Sequence, residues 1–142
     1  LSGANLDGTD LSGANLEDAD LEDIDFTQAI LDSNTDFTNA YLQGADLSGM
    51  VLDDITFEGA DMDEANLSGT SLRDADLNGA SLQDAIFKKT NLKEADLRNA
   101  DLEDAEDMNL ARNLDDAEWF NTTCPDGSNS DEHLEVTCKS HW

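Results

Sequence analysis

Residues 60–84 read ADMDE-ANLSG-TSLRD-ADLNG-ASLQD, a run of five-residue units with a large apolar residue at the centre of each unit. The same period extends in both directions in two frames. The first frame runs from Leu1 to Leu31, and the second, displaced by one residue, runs from Phe37 to Leu102. Of the 21 central positions, 16 are Leu, 4 are Phe and one is Met62. A period held over this length indicates an internal repeat protein.

The five-residue period excludes an amphipathic helix. At about 100° per residue, five residues advance about 500°, so the leucines would scatter around a helix axis. An extended segment does fit, because the residue two positions before each centre is small, with Ala at 13 of 20 positions, and both would share one face. Eight of the nine glycines lie two residues after a centre, where a corner needs positive φ. A leucine-rich repeat, the structural alternative, needs a period of about 20–29 residues.

The individual units identify a family. The units at 4–8, 14–18, 45–49, 75–79 and 95–99 read ANLDG, ANLED, ADLSG, ADLNG and ADLRN. They resemble the A-(D/N)-L-x-x signature of the pentapeptide-repeat family, and the resemblance covers residues 1–104. It implies an all-β fold, a right-handed quadrilateral β-helix with four pentads per coil. The repeats would then form a solenoid of about five coils, about 25 Å tall at about 4.8 Å per coil.

The repeat phase is lost after Leu102. We therefore divide the chain into a pentapeptide-repeat β-helix at 1–104 and a C-terminal cap with a cysteine-bracketed tail at 105–142. Met108 and Leu110 lie near helical spacing, which predicts a short helical or irregular cap over the last open coil. Leu114 and Trp119 are again five residues apart, which predicts one more turn of related structure. The chain opens inside a repeat, as expected of a mature or trimmed form.

The tail contains both cysteines of the chain. Cys124 and Cys138 bracket a Pro-Asp-Gly turn and could form a disulfide, a reactive pair or half of a metal site. A zinc site would need closer cysteine spacing and more ligands than His133 and His141 supply. We favour the disulfide, which would contribute about 3 kcal/mol for a loop of about 15 residues. Such a bond implies an oxidising compartment. The TTCPDGSNS segment at 122–130 also resembles the one that closes many cyanobacterial members of the family. Together these features predict an extracytoplasmic location, the thylakoid lumen or a periplasm.

The charge is strongly one-sided, with 34 acidic and 7 basic residues and a net charge of −27. This balance repels nucleic acid and anionic membranes and attracts basic partners. No apolar run approaches the roughly 18 residues of a membrane-spanning helix, so membrane insertion is not expected. If the slip at residues 32–36 is a bulge that keeps the order of faces, every fourth centre stacks in one column with Leu21 and Leu42. The outward residues of that column, here named the acidic column, are a candidate binding face. They include ten acids and no basic residue: Asp20, Glu22, Asp23, Asp61, Asp63, Glu64, Asp84, Asp101, Glu103 and Asp104.

The sequence predicts no enzyme. No set of nucleophile, base and acid converges, and we predict no catalytic residue, no cofactor and no metal ligand. Asp126, Asn129 and Asp131 lack the spacing of a calcium loop, and a turn composition explains them. The leading interpretation is a non-catalytic structural or protein-interaction module that presents acidic faces to a protein partner, expected to be basic.

The alternative function is a DNA mimic. Some family members that confer quinolone resistance resemble a DNA duplex in shape and charge and bind DNA gyrase. Residues 1–104 carry 25 acidic and five basic residues, a net charge of −20. Over a rod of about 25 Å this is about 0.8 charges per Å, against about 0.6 for duplex DNA. The cysteine-bracketed tail argues against this alternative, because gyrase is cytosolic.

Overall fold

The computed structural model of the chain describes residues 1, 4–132 and 138. Parallel β-bridges join residues 20 or 21 apart over most of its length, as in the series Asp20, Tyr41, Asp61, Ser81 and Asp101. Since 20 residues are four pentads, the backbone returns to the same side of a solenoid after every four units. Within the described residues the bridges are isolated and no longer strand forms. Each side of a coil is too short for one, because a corner follows every central residue.

Each pentad from Phe37 to Leu102 turns its corner at the second residue after the centre. In the unit centred on Leu42, the Ala45 N–H donates to the Leu42 carbonyl at 3.0 Å, and Gly44 between them has a φ of 66°. The same position has a φ of 60° where it is Glu64. Positive φ favours Gly, and the position is otherwise mostly Asp or Asn, the residues that adopt it most readily. The predicted location of the corners is confirmed.

Three backbone hydrogen bonds per pentad hold neighbouring coils together. Around Leu42 these are the N–H of Leu42 to the Asp61 carbonyl at 2.6 Å, Gly44 to Asp63 at 2.9 Å, and Asp61 to Ala40 at 2.9 Å. The pattern repeats along the stack, so a coil uses its polar backbone groups on the coils above and below. Inward side chains can therefore be wholly apolar without leaving backbone groups unpaired.

The interior contains the central Leu and Phe residues and the small residues two positions before them. Three phenylalanines form an aromatic cluster, with Phe26 edge-on to Phe37 at 5.8 Å between ring centroids and Phe37 stacked on Phe57 at 5.0 Å. Such pairs contribute about 0.5–1.5 kcal/mol beyond area burial. The hydroxyl groups of buried threonines donate hydrogen bonds to the neighbouring coil. Thr70 Oγ1 donates to the carbonyl of Leu47 at 2.8 Å, one coil earlier.

The phase slip is a six-residue unit at residues 31–36. Bridges that cross it join residues 21 apart, as in Asn15 to Asp36 and Asp20 to Tyr41, and later bridges return to a separation of 20. The extra residue is absorbed within the unit, so the units on either side keep their faces. The slip is therefore a bulge that preserves the order of the columns, as expected.

The β-ladder continues past residue 104. Glu106, Arg112, Glu118 and Thr123 pair with the coil below, with separations that widen from 20 to 22 residues. The additional residues form 3-10 helices at Met108–Leu110 and Leu114–Asp116, and a third lies at Ser130–Glu132. The short helical elements of the cap and one more turn of related structure at Leu114 and Trp119 were predicted, whereas the pairing of Glu106 and Thr123 with the coil below was not. The domain boundary at 104 stays a prediction, and in the structure it marks the end of regular five-residue spacing.

Candidate interaction surface

The residue just before each centre, most often Asp or Asn, has a structural role that the sequence alone did not reveal. Its side chain accepts a hydrogen bond from the backbone N–H two residues later, as from Ser48 to Asp46 Oδ1 at 2.9 Å and from Asn78 to Asp76 Oδ1 at 3.0 Å. These are Asx-type turns, which fix the entry into each corner. The Asp/Asn preference of the repeat is therefore explained by local backbone satisfaction, before any role in binding.

The same hydrogen bonds favour the ionised form of several of these aspartates. The Thr38 hydroxyl, followed by the Thr38 backbone N–H, lowers the pKa of Asp36. At Asp96, burial raises the pKa, but hydrogen bonds from Arg98 outweigh it and leave the pKa lowered. At these positions the local hydrogen bonds of the fold favour the charged form of the side chain.

All ten predicted residues of the acidic column lie on one side of the solenoid. The bridge from Asp20 to Tyr41 places the first frame in register with the second, and Asp61 and Asp101 continue the same bridged series. Glu22, Asp63 and Glu103 follow the centres of those units, and Asp23, Glu64, Asp84 and Asp104 occupy the corners. The structure thus brings together the residues that the sequence grouped.

Three of the ten are committed to contacts within the column. Asp63 Oδ1 accepts from the Ser81 hydroxyl at 2.6 Å and from the Gln83 N–H at 3.0 Å. Asp101 Oδ2 accepts from Gln83 Nε2 at 2.7 Å, and Asp61 accepts from Gln43 Nε2. Asp61, Asp63 and Asp101 are half-buried. Their carboxylates form hydrogen bonds between neighbouring coils and are therefore only partly available to a partner.

The other seven acids are exposed. They are Asp20, Glu22, Asp23, Glu64, Asp84, Glu103 and Asp104. On the flat side of the column, acidic coils alternate with coils that carry Tyr41 and Gln43 or Ser81 and Gln83. The acidic rows of the flat side are therefore two coils apart, about 9.6 Å at the usual spacing of β-strands. At the corner the charges are closer, because Glu64, Asp84 and Asp104 lie on successive coils.

A shallow groove borders the acidic column at one corner. It has a volume of about 460 Å³ and is lined by Glu64, Asp84, Ile86 and Glu106. Its walls are acidic on both sides, and half-buried Ile86 is the apolar part. Among the described residues, no group of three or more His, Cys, Asp or Glu side chains is arranged to hold a metal ion. The groove extends the negative surface around the corner from the column.

Basic residues lie away from the acidic column. Arg98 makes a two-point contact with Asp96, Nε to Oδ1 at 2.8 Å and Nη2 to Oδ2 at 2.5 Å. These hydrogen bonds and the charge of Asp96 raise the pKa of the guanidinium. Lys93 Nζ is 3.1 Å from Glu94 Oε1. The most basic row, Lys88 and Lys89, lies on the side that carries Phe26 and is exposed.

The predicted disulfide is present. Cys124 and Cys138 are bonded, with their Cα atoms 5.2 Å apart and both residues fully buried. Cys124 belongs to a tight hairpin in which Thr123 pairs antiparallel with Asn129. The bond therefore joins the end of the chain to the last level of the ladder. His133 and His141 lie outside the described residues.

No helix in the described part of the chain has the length and apolar character required to cross a bilayer. Catalytic residues were not predicted, and the exposed carboxylates of the column are spread over several coils. The chemistry that this arrangement offers is recognition of positive charge along an edge.

Comparison with known proteins identifies the family. A comparison with curated proteins finds no match. Among solved structures, the chain is 34% identical to HetL, a pentapeptide repeat protein involved in heterocyst differentiation regulation from the cyanobacterium Nostoc sp. strain PCC 7120. That match covers 91% of this chain and 63% of HetL, with a TM-score of 0.49. The chain thus spans less than two thirds of the length of HetL.

Two further structures are similar. Rfr23, a pentapeptide repeat protein from the cyanobacterium Cyanothece 51142, is 28% identical over 80% of this chain and 85% of its own, with a TM-score of 0.43. A pentapeptide repeat protein from the Arabidopsis thaliana thylakoid lumen is 27% identical over 83% of this chain and 63% of its own, with a TM-score of 0.18.

The family assignment rests on the repeats themselves. The model of pentapeptide repeats matches eight copies, over residues 1–32, 33–69, 51–88 and 65–104. Proteins of this family fold as right-handed quadrilateral β-helices and are generally non-catalytic. The bridges four pentads apart, the corners after each centre and the matched repeats agree, and the chain belongs to the pentapeptide-repeat family.

Proposed function

We propose that the protein is a non-catalytic interaction module that binds a basic protein partner through the exposed acids of the acidic column. The observation that carries this proposal is the placement of seven exposed carboxylates along one side of a rigid stack, with no basic residue in the column. A partner with a row of Lys or Arg side chains would find its counter-charges already positioned.

We expect only the exposed acids of the acidic column to bind the partner. Asp61, Asp63 and Asp101 already accept hydrogen bonds from neighbouring coils, so neutralising them would disturb the fold as well as the surface. Each exposed ion pair contributes only about 0–1 kcal/mol. A row of like charges still sums its field and steers a basic partner toward one side of the molecule. Affinity should therefore depend on the row and fall with added salt.

The test compares two matched quadruple variants. The first changes Glu64 and Glu103 to Gln and Asp84 and Asp104 to Asn. The control makes the same chemical changes at four exposed acids on other sides, with Glu17 and Glu58 changed to Gln and Asp7 and Asp18 changed to Asn. Both variants alter the net charge equally.

The partner would be captured from the native compartment with the wild-type protein, and an octalysine peptide would serve as a defined probe. We expect the column variant to bind both at least about tenfold more weakly than wild type. The salt dependence of that variant should also be flatter, whereas the control should lose much less. Equal losses from both variants would mean that the charge is a general solubility coat and would contradict the proposal.

We further propose that the protein works outside the cytosol, in a thylakoid lumen or a periplasm. The buried disulfide between Cys124 and Cys138 supports this location, because cytosolic reductants keep most thiols reduced. Mass spectrometry of protein isolated from its native compartment without reductant should find the two cysteines linked. Two free thiols there would remove the main support for the location.

A DNA mimic that binds gyrase is the second candidate. It is favoured by the charge density, a net −20 on residues 1–104, spread over a rod of about 25 Å. On the flat side of the acidic column the acidic rows are about 9.6 Å apart, which makes the charge there less continuous than that of a duplex. Inhibition of gyrase supercoiling at micromolar protein, lost in the column variant and kept in the control, would establish the mimic in place of the leading proposal.

A further inference from the structure

One stretch of the ladder is open. Asp25 pairs with Asp46 and Asp36 pairs with Thr56, but between these bridges no backbone hydrogen bond joins described residues 27–35 to residues 47–55 of the next coil. From Phe37 to Leu102, by contrast, every pentad contributes two or three such bonds. We refer to this interval, with residues 27–35 and 47–55 as its two lips, as the seam.

Two outward apolar side chains are exposed at the seam, and two inward ones are only half-buried. Ile30 on one lip is 53% exposed and Val51 on the other is 72% exposed. Leu31 is half-buried, although every other central residue from Leu21 to Leu102 is buried. Met50 is likewise half-buried, whereas the other residues at the equivalent inward position, from Ala40 to Ala105, are buried. The hydrophobic interior therefore approaches the surface at the seam.

The sequence explains why the ladder opens here. The position before the centre is apolar on both lips, Ile30 on one and Val51 on the other. A single apolar residue there is compatible with an intact ladder, as the bridges of Ile86 show, but here two such residues lie on facing coils. The six-residue unit also turns its polar groups toward the preceding coil. Asp32 Oδ1 accepts from the Gly13 N–H at 2.8 Å, and Thr35 Oγ1 donates to the Leu11 carbonyl at 3.0 Å. The bulge is thus hydrogen-bonded to the coil below and makes no backbone hydrogen bond to the lip above.

We propose that the seam is a docking site for an extended segment of a partner protein that carries alternating apolar and basic side chains. Main-chain groups of Leu31 and Val51 make no backbone hydrogen bond to the facing lip, so they are available to an added strand. Ile30, Val51 and Met50 would receive the apolar side chains of that strand.

Charge complementarity selects the rest of the ligand. Asp32, Asp53 and Asp54 border the seam, with Asp10 one coil below and Arg73 one coil above. The excess of acids favours Lys or Arg side chains in a ligand. A second copy of the chain is disfavoured as the occupant because it would bring another −27 charges to the contact. The seam lies two pentads around the coil from the acidic column, so the two surfaces act independently.

The variant that tests the seam changes Ile30 and Val51 to Asn. Asn is tolerated before a centre, because Asn66 accepts from the Ser68 N–H at 3.1 Å within an intact ladder. The matched control is Ile86→Asn, at the same position of a pentad whose bridges to Asn66 and Glu106 are present. Both proteins should fold, which far-ultraviolet circular dichroism and thermal melting would verify.

The probe is a dye-labelled nine-residue peptide of alternating Val and Lys, and a Ser and Lys peptide of equal charge is its control. By fluorescence anisotropy at 0.15 M salt, the Val and Lys peptide should bind wild type at least about tenfold more tightly than the Ser and Lys peptide. The Ile30 and Val51 double variant should lose about tenfold, whereas Ile86→Asn and the acidic-column variant should change binding less than about twofold. Equal binding of the two peptides, or an unaffected double variant, would overturn the proposal.

Hydrogen exchange adds a second readout. In the free protein the amides of Leu31 and Val51 should exchange faster than the Leu72 amide, which donates to the Asn91 carbonyl at 2.9 Å. Addition of the Val and Lys peptide should protect them. Full protection of both amides in the free protein would show that the seam is closed and would reject the site.

Discussion

The regular stack at residues 37–104 and the cap that follows it are stabilised by different kinds of contact. In the stack, every level buries a Leu or Phe and each pentad repeats two or three backbone bonds to the next coil, so each coil is supported by its neighbours. In the cap, Trp119 replaces the central Leu, and its Nε1 donates to the Leu114 carbonyl at 3.0 Å. The disulfide then fixes the end of the chain. Regularity thus stabilises the stack, whereas the cap depends on contacts that occur once.

The largest difference between the regions should come from a charge placed at an inward position. Leu72→Asp would bury an unpaired carboxylate between two coils, because Leu72 is fully buried. We expect a loss of more than about 4 kcal/mol in the free energy of unfolding, which amounts to loss of the fold. Circular dichroism during thermal melting would measure it.

The matched change in the cap is Leu114→Asp, at a half-buried residue. It should leave the melting transition of the stack in place. If both aspartate variants unfolded alike, the stack and cap would form one cooperative unit, and the contrast drawn between them would fail.

The second effect concerns the disulfide. Changing Cys124 and Cys138 to Ser removes a bond that closes a loop with a sequence separation of 14, worth about 3 kcal/mol to the cap. The stack does not depend on that loop, so its melting temperature should change little. Limited proteolysis should cut the double variant within residues 120–138 and leave the repeats intact. A stack that melts with the cap would show that the end controls the whole solenoid.

A smaller effect is expected from the buried threonines. Thr90 Oγ1 donates to the Leu67 carbonyl at 2.6 Å in the stack, and Thr122 Oγ1 donates to the Leu97 carbonyl at 2.8 Å in the cap. Replacing either one by Val should cost about 1 kcal/mol. The Thr90 change should lower the global melting temperature, whereas the Thr122 change should appear in hydrogen exchange of the cap alone. Identical responses would contradict the regional difference.

The smallest effect should come from pH. Because the pKa of Asp36 is lowered by Thr38, the folded state favours its carboxylate. This stabilisation is present above the ordinary Asp value of about 3.9 and is lost as pH falls through the lowered pKa. Asp36→Asn should therefore lower the melting temperature slightly at pH 7, and its difference from wild type should disappear as pH falls through the lowered pKa.

Asp74 provides the opposite sign. Desolvation, followed by the neighbouring Glu94, raises its pKa, so its ionised form weakens the folded state at neutral pH and protonation relieves that cost. Asp74→Asn should raise the melting temperature slightly at pH 7. The same sign of response from both variants, followed by melting across pH, would refute this assignment.

Much of the fold follows from the sequence because inward positions admit few residue types. The volume of the interior restricts the centre to Leu and the position two residues earlier to Ala, and the positive φ of the corner favours Gly. The residues of the acidic column could also be grouped from the sequence, because every fourth pentad stacks on the same side. The binding role of that column and the chain division at 104 stay predictions.

The features that the sequence did not reveal depend on pairing between coils. The slip at 31–36 was visible, but nothing local shows that Asp32 turns toward Gly13 and that Val51 makes no backbone hydrogen bond to the coil below. The exposed acids could not be separated from Asp63 until its contact with Ser81 was known. Past residue 104 the sequence predicted one more turn only, at Leu114 and Trp119, because one or two additional residues per level hide the period of the rest.

The bridge spacing of 20 residues also governs how such a chain can change in length. Duplication of four pentads would insert one level and leave every later column above its original position. Duplication of a single pentad would instead rotate everything beyond it by a quarter turn, carrying Glu103 and Asp104 away from Asp20. A one-residue insertion does neither, as the slip at 31–36 demonstrates. The surface columns of this solenoid are thus preserved when whole coils are added, whereas a one-residue insertion alters only the unit in which it occurs.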